Sequence, residues 1–265
     1  MSVRVLVAGA AGRMGREVVK AVAGDPATKL VGAVDISEIG ADAGELAGIG
    51  ARGVKVASDL AAALRETRAE VVVDFTRAEA AFANAQVALA AGVSPVIGTT
   101  GMNSEQLATL RRAAEGNGVG ALVAPNFALG AVLLMRFAAQ AARYLPEVEI
   151  IELHHEKKVD APSGTALKTA EMIRAARSPE RLPRPSEEIK VEGCRGGDFD
   201  GIRIHSVRLP GYVAHEEVIF GGVGQTLTLR HDSIDRISFM PGVLLACKQV
   251  RGLKGLVYGL ENLLD

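Results

Sequence analysis

The chain has 265 residues, and its 30 Lys and Arg against 31 Asp and Glu leave a formal net charge of -1. That length buries a core without disulfide staples, and the near-neutral balance supplies no bulk basic field for nucleic acid or an anionic membrane. Cys194 and Cys247 make neither a disulfide framework nor a paired zinc motif, aromatics at 4% with no Trp argue against stacked-base recognition, and no apolar run reaches the roughly 18 residues of a membrane span. The first residues carry no charged head, long apolar stretch or cleavage site, so the expectation is a cytoplasmic protein in a reducing compartment.

In chain order, Val3-Arg4-Val5-Leu6-Val7-Ala8 is a β-branched apolar run ending at Gly9, and residues 13–22 carry helical spacing. Strands follow at 29–34 and 54–57, with Ser58 read as the cap of a helix through Arg65. Residues 71–75 form a nearly continuous apolar strand, a helix at 78–91 stops at Gly92, and Val96-Ile97 opens the next strand. Asn103 and Gln106 read as a capping box for a helix at 105–115 closed by Gly116, and Ala121-Leu122-Val123 is a further buried strand. Repeated βα units predict a parallel sheet covered on both faces.

After Pro125 the pattern changes: a long apolar helix at 129–145, a strand at 148–155, a helix at 164–177 and a Pro-rich connection at 178–185. Residues 202–209, 213–220 and 225–231, separated by Pro210-Gly211 and Gly221-Gly222-Val223-Gly224, read as an antiparallel meander. A helix at 239–250 and a strand at 256–258 return to the first domain. The predicted fold is α/β: a Rossmann-like parallel-sheet domain of residues 1–126 and 236–265, and an α+β domain of residues 127–235 with a mostly antiparallel or mixed sheet.

The loop Gly9-Ala10-Ala11-Gly12-Arg13-Met14-Gly15 lies between the first strand and the first helix. Glycine permits positive φ and removes the Cβ that keeps a pyrophosphate away, while the N–H groups of the first helical turn stabilise its charge. The spacing is a variant of the dinucleotide fingerprint. Asp35, 20 residues after Gly15, ends the second strand, where a carboxylate accepts hydrogen bonds from the adenosine ribose of NAD. Its charge repels a 2′-phosphate and Ile36 offers no guanidinium, although Arg13 can reach the adenosine end. The expectation is NADH preferred, with NADPH tolerated.

The window from Glu152 to Leu167 holds two of the five histidines, two lysines and a helix start. With Ser163 as N-cap, Gly164, Thr165 and Ala166 make a first turn whose N–H groups can receive a carboxylate. His154 at a strand end and Lys158 in the following loop supply positive charge or protons to a small polyanionic substrate. Taken alone, the window reads equally as a solvated charged loop before a capped helix. His154 and His155 point to opposite faces of a strand with no Cys or third His near them, so no metal site is expected.

Together these residues resemble the dihydrodipicolinate reductase family of lysine and diaminopimelate biosynthesis, over nearly the whole chain. The most specific element is His154-His155 with Lys158-Val159-Asp160-Ala161-Pro162-Ser163-Gly164-Thr165-Ala166, supported by Asp74-Phe75-Thr76, Gly98-Thr99-Thr100-Gly101 and Ala124-Pro125-Asn126-Phe127 after strands. The resemblance implies reduction of 4-hydroxy-tetrahydrodipicolinate, via dihydrodipicolinate, to tetrahydrodipicolinate with NAD(P)H. It implies that Gly9, Ala10, Ala11, Gly12, Arg13 and Met14 contact the pyrophosphate and Asp35 the ribose, with Gly98, Thr99, Thr100, Ala124, Pro125, Asn126 and Phe127 flanking the nicotinamide. It makes His154 the catalytic histidine, Lys158 the proton donor, and His155, Gly164 and Thr165 the substrate contacts. It also implies a homotetramer through the C-terminal sheet. Many relatives carry an arginine where this chain has Ile36, which bears on cofactor preference and not on reaction type.

Two other readings compete. Another dehydrogenase of aspartate-family metabolites is one, but an acylating semialdehyde enzyme needs a reactive thiolate, and Cys194 falls in a glycine-rich segment and Cys247 in a helix. A catalytically silent NAD(P)-sensing binding protein is the other, disfavoured by His154, Lys158 and the carboxylate nest. His205, His215 and His231 read as sheet or subunit-interface residues, and Arg77, which at the start of a helix can approach the cofactor or equally face solvent, stays outside the expected site.

Overall fold

A computed structural model describes residues 2–178 and 186–264. Apart from Ser178, the Pro-rich connection expected at 178–185 lies outside them. The chain separates into two compact units, Met1–Phe127 with Phe239–Asp265, and Ala128–Ser238.

The first unit runs β1 (Val3–Ala8), α1 (Arg13–Gly24), β2 (Thr28–Val34), α2 (Ala43–Leu46), β3 (Val56–Ala57), α3 (Leu60–Thr67), β4 (Val71–Asp74), α4 (Ala78–Ala90), β5 (Ser94–Ile97), α5 (Ser104–Asn117) and β6 (Ala121–Val123). The second holds α6 (Leu129–Ala141), β7 (Glu147–His154), α7 (Gly164–Ala176), β8 (Gly197–Phe199), β9 (Ile202–Arg208), β10 (Ala214–Gly222) and β11 (Gln225–Ser233). The chain then returns to the first unit through α8 (Met240–Gln249) and β12 (Leu256–Tyr258).

In the first unit the strand order is β12-β6-β5-β4-β1-β2-β3, and every pair is parallel. The central strands are fully buried, which is why their sequences are mostly apolar, with Asp74 and Ser94 the polar exceptions at strand ends. Chain order reverses between β1 and β4, so the loops after them face one crevice. α1 lies close to the sheet because Gly15 has no side chain: a Cβ there would sit 1.9 Å from the Gly9 carbonyl oxygen.

The second unit differs from the expected meander. Its sheet order is β11-β10-β7-β9-β8, with β10 antiparallel to both β11 and β7, and β7 parallel to β9. β7 takes the centre because Val148, Ile150 and Glu152 are buried on one face and Ile151 and Leu153 half-buried on the other. Its own core gathers Leu134, Ile150, Ile173, Ile202, Val218 and Phe220 between sheet and helices.

Several boundaries also shift. α3 is capped by Asp59, whose carboxylate accepts from the Ala62 N–H at 3.2 Å, and not by Ser58. α5 has the expected Asn103–Gln106 capping box but ends at Gly118, which takes the left-handed conformation at φ 64°, instead of Gly116. α6 stops at Ala141; the apolar run continues to Leu145 because that side chain packs on the second core after the turn. Pro146 removes the helical option at Leu145.

Candidate active site

In the first unit the loop from Gly9 to Gly15 is held from both sides. The Gly9 and Ala10 N–H groups donate to the Val34 carbonyl, and Ala11 N–H donates to Asp35 Oδ2 at 2.9 Å. Asp35 Oδ1 accepts from the N–H and hydroxyl of Ser37. Burial opposes its charge, and the bonds from Ser37 and Ala11 outweigh that, holding the carboxyl below its ordinary value. The N-cap of α1 is Gly12, which has no side chain to close the helix end, so the N–H groups at the start of α1 suit an anion.

A cavity of about 510 Å³ opens beside this loop, lined by Gly9, Ala11, Gly12, Asp35, Ile36, Ser37, Ser58, Thr76, Arg77 and Asn84 among others. The glycine cradle and the acid across from it fit a dinucleotide. Asp74, buried at the end of β4, fixes the far wall: its carboxylate accepts from the Thr76 N–H (2.8 Å) and hydroxyl (2.6 Å) and from Asn84 Nδ2 (2.8 Å). Burial raises its carboxyl above the ordinary value despite those bonds. Thr99 joins the same edge through its hydroxyl bond to the Thr76 carbonyl at 3.0 Å.

The structure thus brings Gly9, Ala11, Gly12 and Asp35 together on one cavity, while the exposed Arg13 and the half-buried Met14 are not on its wall. Gly98, Thr99, Thr100, Ala124, Pro125, Asn126 and Phe127 follow β5 and β6 at the same edge of the sheet, also off that wall. Ala10, Ala124 and Phe127 have buried side chains, and Phe127 packs on Phe75 with ring centroids 5.8 Å apart, so only their backbone can face a ligand. Gly98 lies against the same ring, where a Cβ would meet Phe75 at 2.1 Å. Thr76, from the Asp74-Phe75-Thr76 block, and Arg77, outside the expected site, both line the cavity. Their position directly after the strand at the reversal point was the available signal.

In the second unit His154 is the last residue of β7, and its Nδ1 bonds the fully buried Glu152 two residues earlier on the same face. Arg208, at the end of β9, grips Glu152 in a fork, with Nη2 at 2.7 Å and Nη1 at 2.9 Å. Burial works against ionisation of Glu152, but the bonds from His154, Arg208 and Ser206 prevail and hold it down to about 2. An ionised Glu152 only accepts, so His154 Nδ1 carries the proton and Nε2 is the ring atom left for other work.

Arg208 also donates to the Asp160 carbonyl at 2.7 Å, and the Asp160 carboxylate holds Lys158 Nζ at 2.8 and 3.0 Å. His154 and Lys158 are therefore the two ends of one ionic chain through Glu152, Arg208 and Asp160. Ser163 caps α7 by accepting from the Ala166 N–H at 3.1 Å, and nothing lies within 4 Å of where a Cβ on Gly164 would stand. Thr165 follows in the first turn, while His155 is exposed in the loop after β7. Arg208 carried no local signal, because only strand pairing brings it to Glu152.

Two family models divide the chain: one described as dihydrodipicolinate reductase, N-terminus, matches residues 3–127, and one described as dihydrodipicolinate reductase, C-terminus, matches residues 130–264. A 4-hydroxy-tetrahydrodipicolinate reductase of Moorella thermoacetica is 57% identical over 264 residues, covering 100% of this chain and 98% of the relative. Another, from Desulfitobacterium hafniense, is 53% identical and covers 99% of each. The solved structure of a dipicolinate-bound dihydrodipicolinate reductase from Paenisporosarcina sp. TG-14 matches with a TM-score of 0.89 at 46% identity, covering 100% of both chains.

Fold and matches together define an oxidoreductase whose Rossmann-type unit takes a nicotinamide dinucleotide. The chain belongs to the dihydrodipicolinate reductase family.

Proposed function

We propose that the chain reduces 4-hydroxy-tetrahydrodipicolinate, after loss of water, to tetrahydrodipicolinate in lysine and diaminopimelate biosynthesis, working in the cytoplasm with NADH as the preferred cofactor. When bound, the reduced nicotinamide supplies the hydride. The observation that carries the site assignment is the ionic chain that links His154 to Lys158 through Glu152, Arg208 and Asp160.

Reduction at C4 of the cyclic imine moves electron density to the ring nitrogen, so the chain must supply positive charge and a proton there. Lys158 donates that proton and His154, in the tautomer fixed by Glu152, supports the developing charge. Gly164 and Thr165 at the start of α7 bind one carboxylate, with His155 adding a contact, and this fixes the ring. On the cofactor side, Gly9, Ala10, Ala11, Gly12, Arg13 and Met14 hold the pyrophosphate through backbone and helix start, and Asp35 holds the ribose. Gly98, Thr99, Thr100, Ala124, Pro125, Asn126 and Phe127 border the nicotinamide, Ala10, Ala124 and Phe127 by backbone alone.

Asp35 repels a 2′-phosphate and Ile36, 92% exposed, brings no charge, while Arg77 is a cation on the same cavity wall. This balance supports NADH first with NADPH accepted. Cofactor oxidation followed at 340 nm with freshly generated substrate tests both points: turnover is expected, with higher kcat/KM for NADH, and a clear NADPH advantage refutes the preference. A silent sensor binds cofactor and shows no turnover. β11, nine residues long and at the edge of its sheet, supports a homotetramer because its open side is available to a second copy.

A further inference from the structure

One buried acid of the second unit has no part in the reaction as proposed. Glu216 of β10 is 5% exposed, and its Oε1 is enclosed without a hydrogen-bond partner. Buried polar atoms are nearly always paired, so this one calls for a physical reason.

Strand register places it. Glu216 stands directly opposite Glu152 of β7 on one side and His231 of β11 on the other, and directly opposed residues share a face of the sheet. His154 lies two residues further along that face of β7, opposite Arg208 of β9 at its register position. His231 is half-buried on the same face, where its ring abuts Gly130 of α6, and burial lowers its ring below the ordinary value. His215 and Glu217 alternate to the other face. The buried positions of α6 and α7 carry no titratable group, and Thr169 of α7 is the polar one among them.

Thr169 is already engaged within its own helix. Its hydroxyl donates to the Thr165 carbonyl at 3.0 Å, so its single proton is committed. A bond from the same hydroxyl to an ionised Glu216 would favour its charge, but it competes with the bond to Thr165 and burial outweighs it. A second negative charge is also disfavoured beside Glu152, whose own charge is committed to His154 and Arg208. Burial accordingly pushes the Glu216 carboxyl up to about 7, the Thr169 bond opposing and the Glu152 charge reinforcing.

We propose that Glu216 is a positioning residue that works as a neutral acid, leaving Glu152 free to hold His154 and Thr169 free to hold the Thr165 end of α7, and that loss of its proton to solvent slackens both arms. This rests on His154 being the catalytic histidine. The test measures kcat/KM across about pH 5–9 for the wild type, Glu216→Gln and His154→Ala, and follows the histidine ring nitrogens of the first two by ¹⁵N NMR. Gln keeps the shape and a donor without the titration. Wild-type kcat/KM is expected to fall by about tenfold as pH rises through the Glu216 ionisation, while Glu216→Gln changes by less than about threefold over the same range. The His154 ring signals show an inflection at that pH in the wild type alone. Thermal unfolding follows the same sign: an acid raised from 4.5 to about 7 by folding costs stability as pH climbs between those values, so wild-type Tm falls relative to Glu216→Gln across that window and no further above it. Superimposable pH profiles and His154 titrations in the two proteins overturn the proposal. Wild-type turnover in His154→Ala overturns the catalytic assignment instead, and the NMR comparison then decides the coupling by itself.

Discussion

The two units build their sites from different parts of the chain. In the first, the cradle is backbone: Gly9, Gly12 and the start of α1 present N–H groups, and side chains such as Asp35 and Asp74 serve to hold loops in place. In the second, the proposed working groups are side chains, His154 and Lys158, partly enclosed and linked through Glu152, Arg208 and Asp160. A backbone site tolerates most side-chain replacement other than at its glycines. A site made of linked charges fails when a partner of its buried member is removed, because the fully enclosed Glu152 is then left uncompensated.

The largest contrast comes from cutting that ionic chain at its middle. Arg208→Ala leaves the buried Glu152 without its fork and is expected to cost about 3–5 kcal/mol of stability, whereas the exposed Arg13→Ala on the glycine loop stays within about 0.5 kcal/mol. Urea unfolding midpoints measure both, and equal losses erase the distinction. Next in size, Lys158→Ala lowers kcat by about 10²–10³, with a smaller change in KM. Steady-state rates with an intact kcat remove Lys158 from the chemistry. The smallest effect sharpens the view that α7 binds and does not react: Thr165→Val raises KM by about tenfold, the scale of a lost hydrogen bond to a charged group, and lowers kcat less. The reverse ranking counts against a binding role.

What could be read from the sequence follows the same division. The glycine loop, Asp35, the capping box at Asn103 and the Ser163 cap are all set by residues a few positions apart, and local rules suffice for them. The His154 to Thr165 window was equally local. Arg208 and Glu216 were not, since they meet Glu152 only through strand pairing across gaps of 56 and 64 residues in numbering. Reading β9, β10 and β11 as consecutive neighbours hid this, because it left β7 out of the middle and with it the strand that carries Glu152. Where two residues were both chemically able to end or cap a helix, as with Ser58 and Asp59 or Gly116 and Gly118, composition alone did not choose between them.

The return of α8 and β12 to the first unit has a consequence during synthesis. β12 completes the sheet beside β6, and α8 packs on α1 and the strands β1, β2, β4 and β5. While the ribosome is still making residues 128–238, the amino-terminal half therefore waits with an open sheet edge and an uncovered apolar layer. The inserted unit, whose core is contiguous in the chain, can finish folding first, and the nucleotide-binding half closes only when the last strand emerges from the exit tunnel.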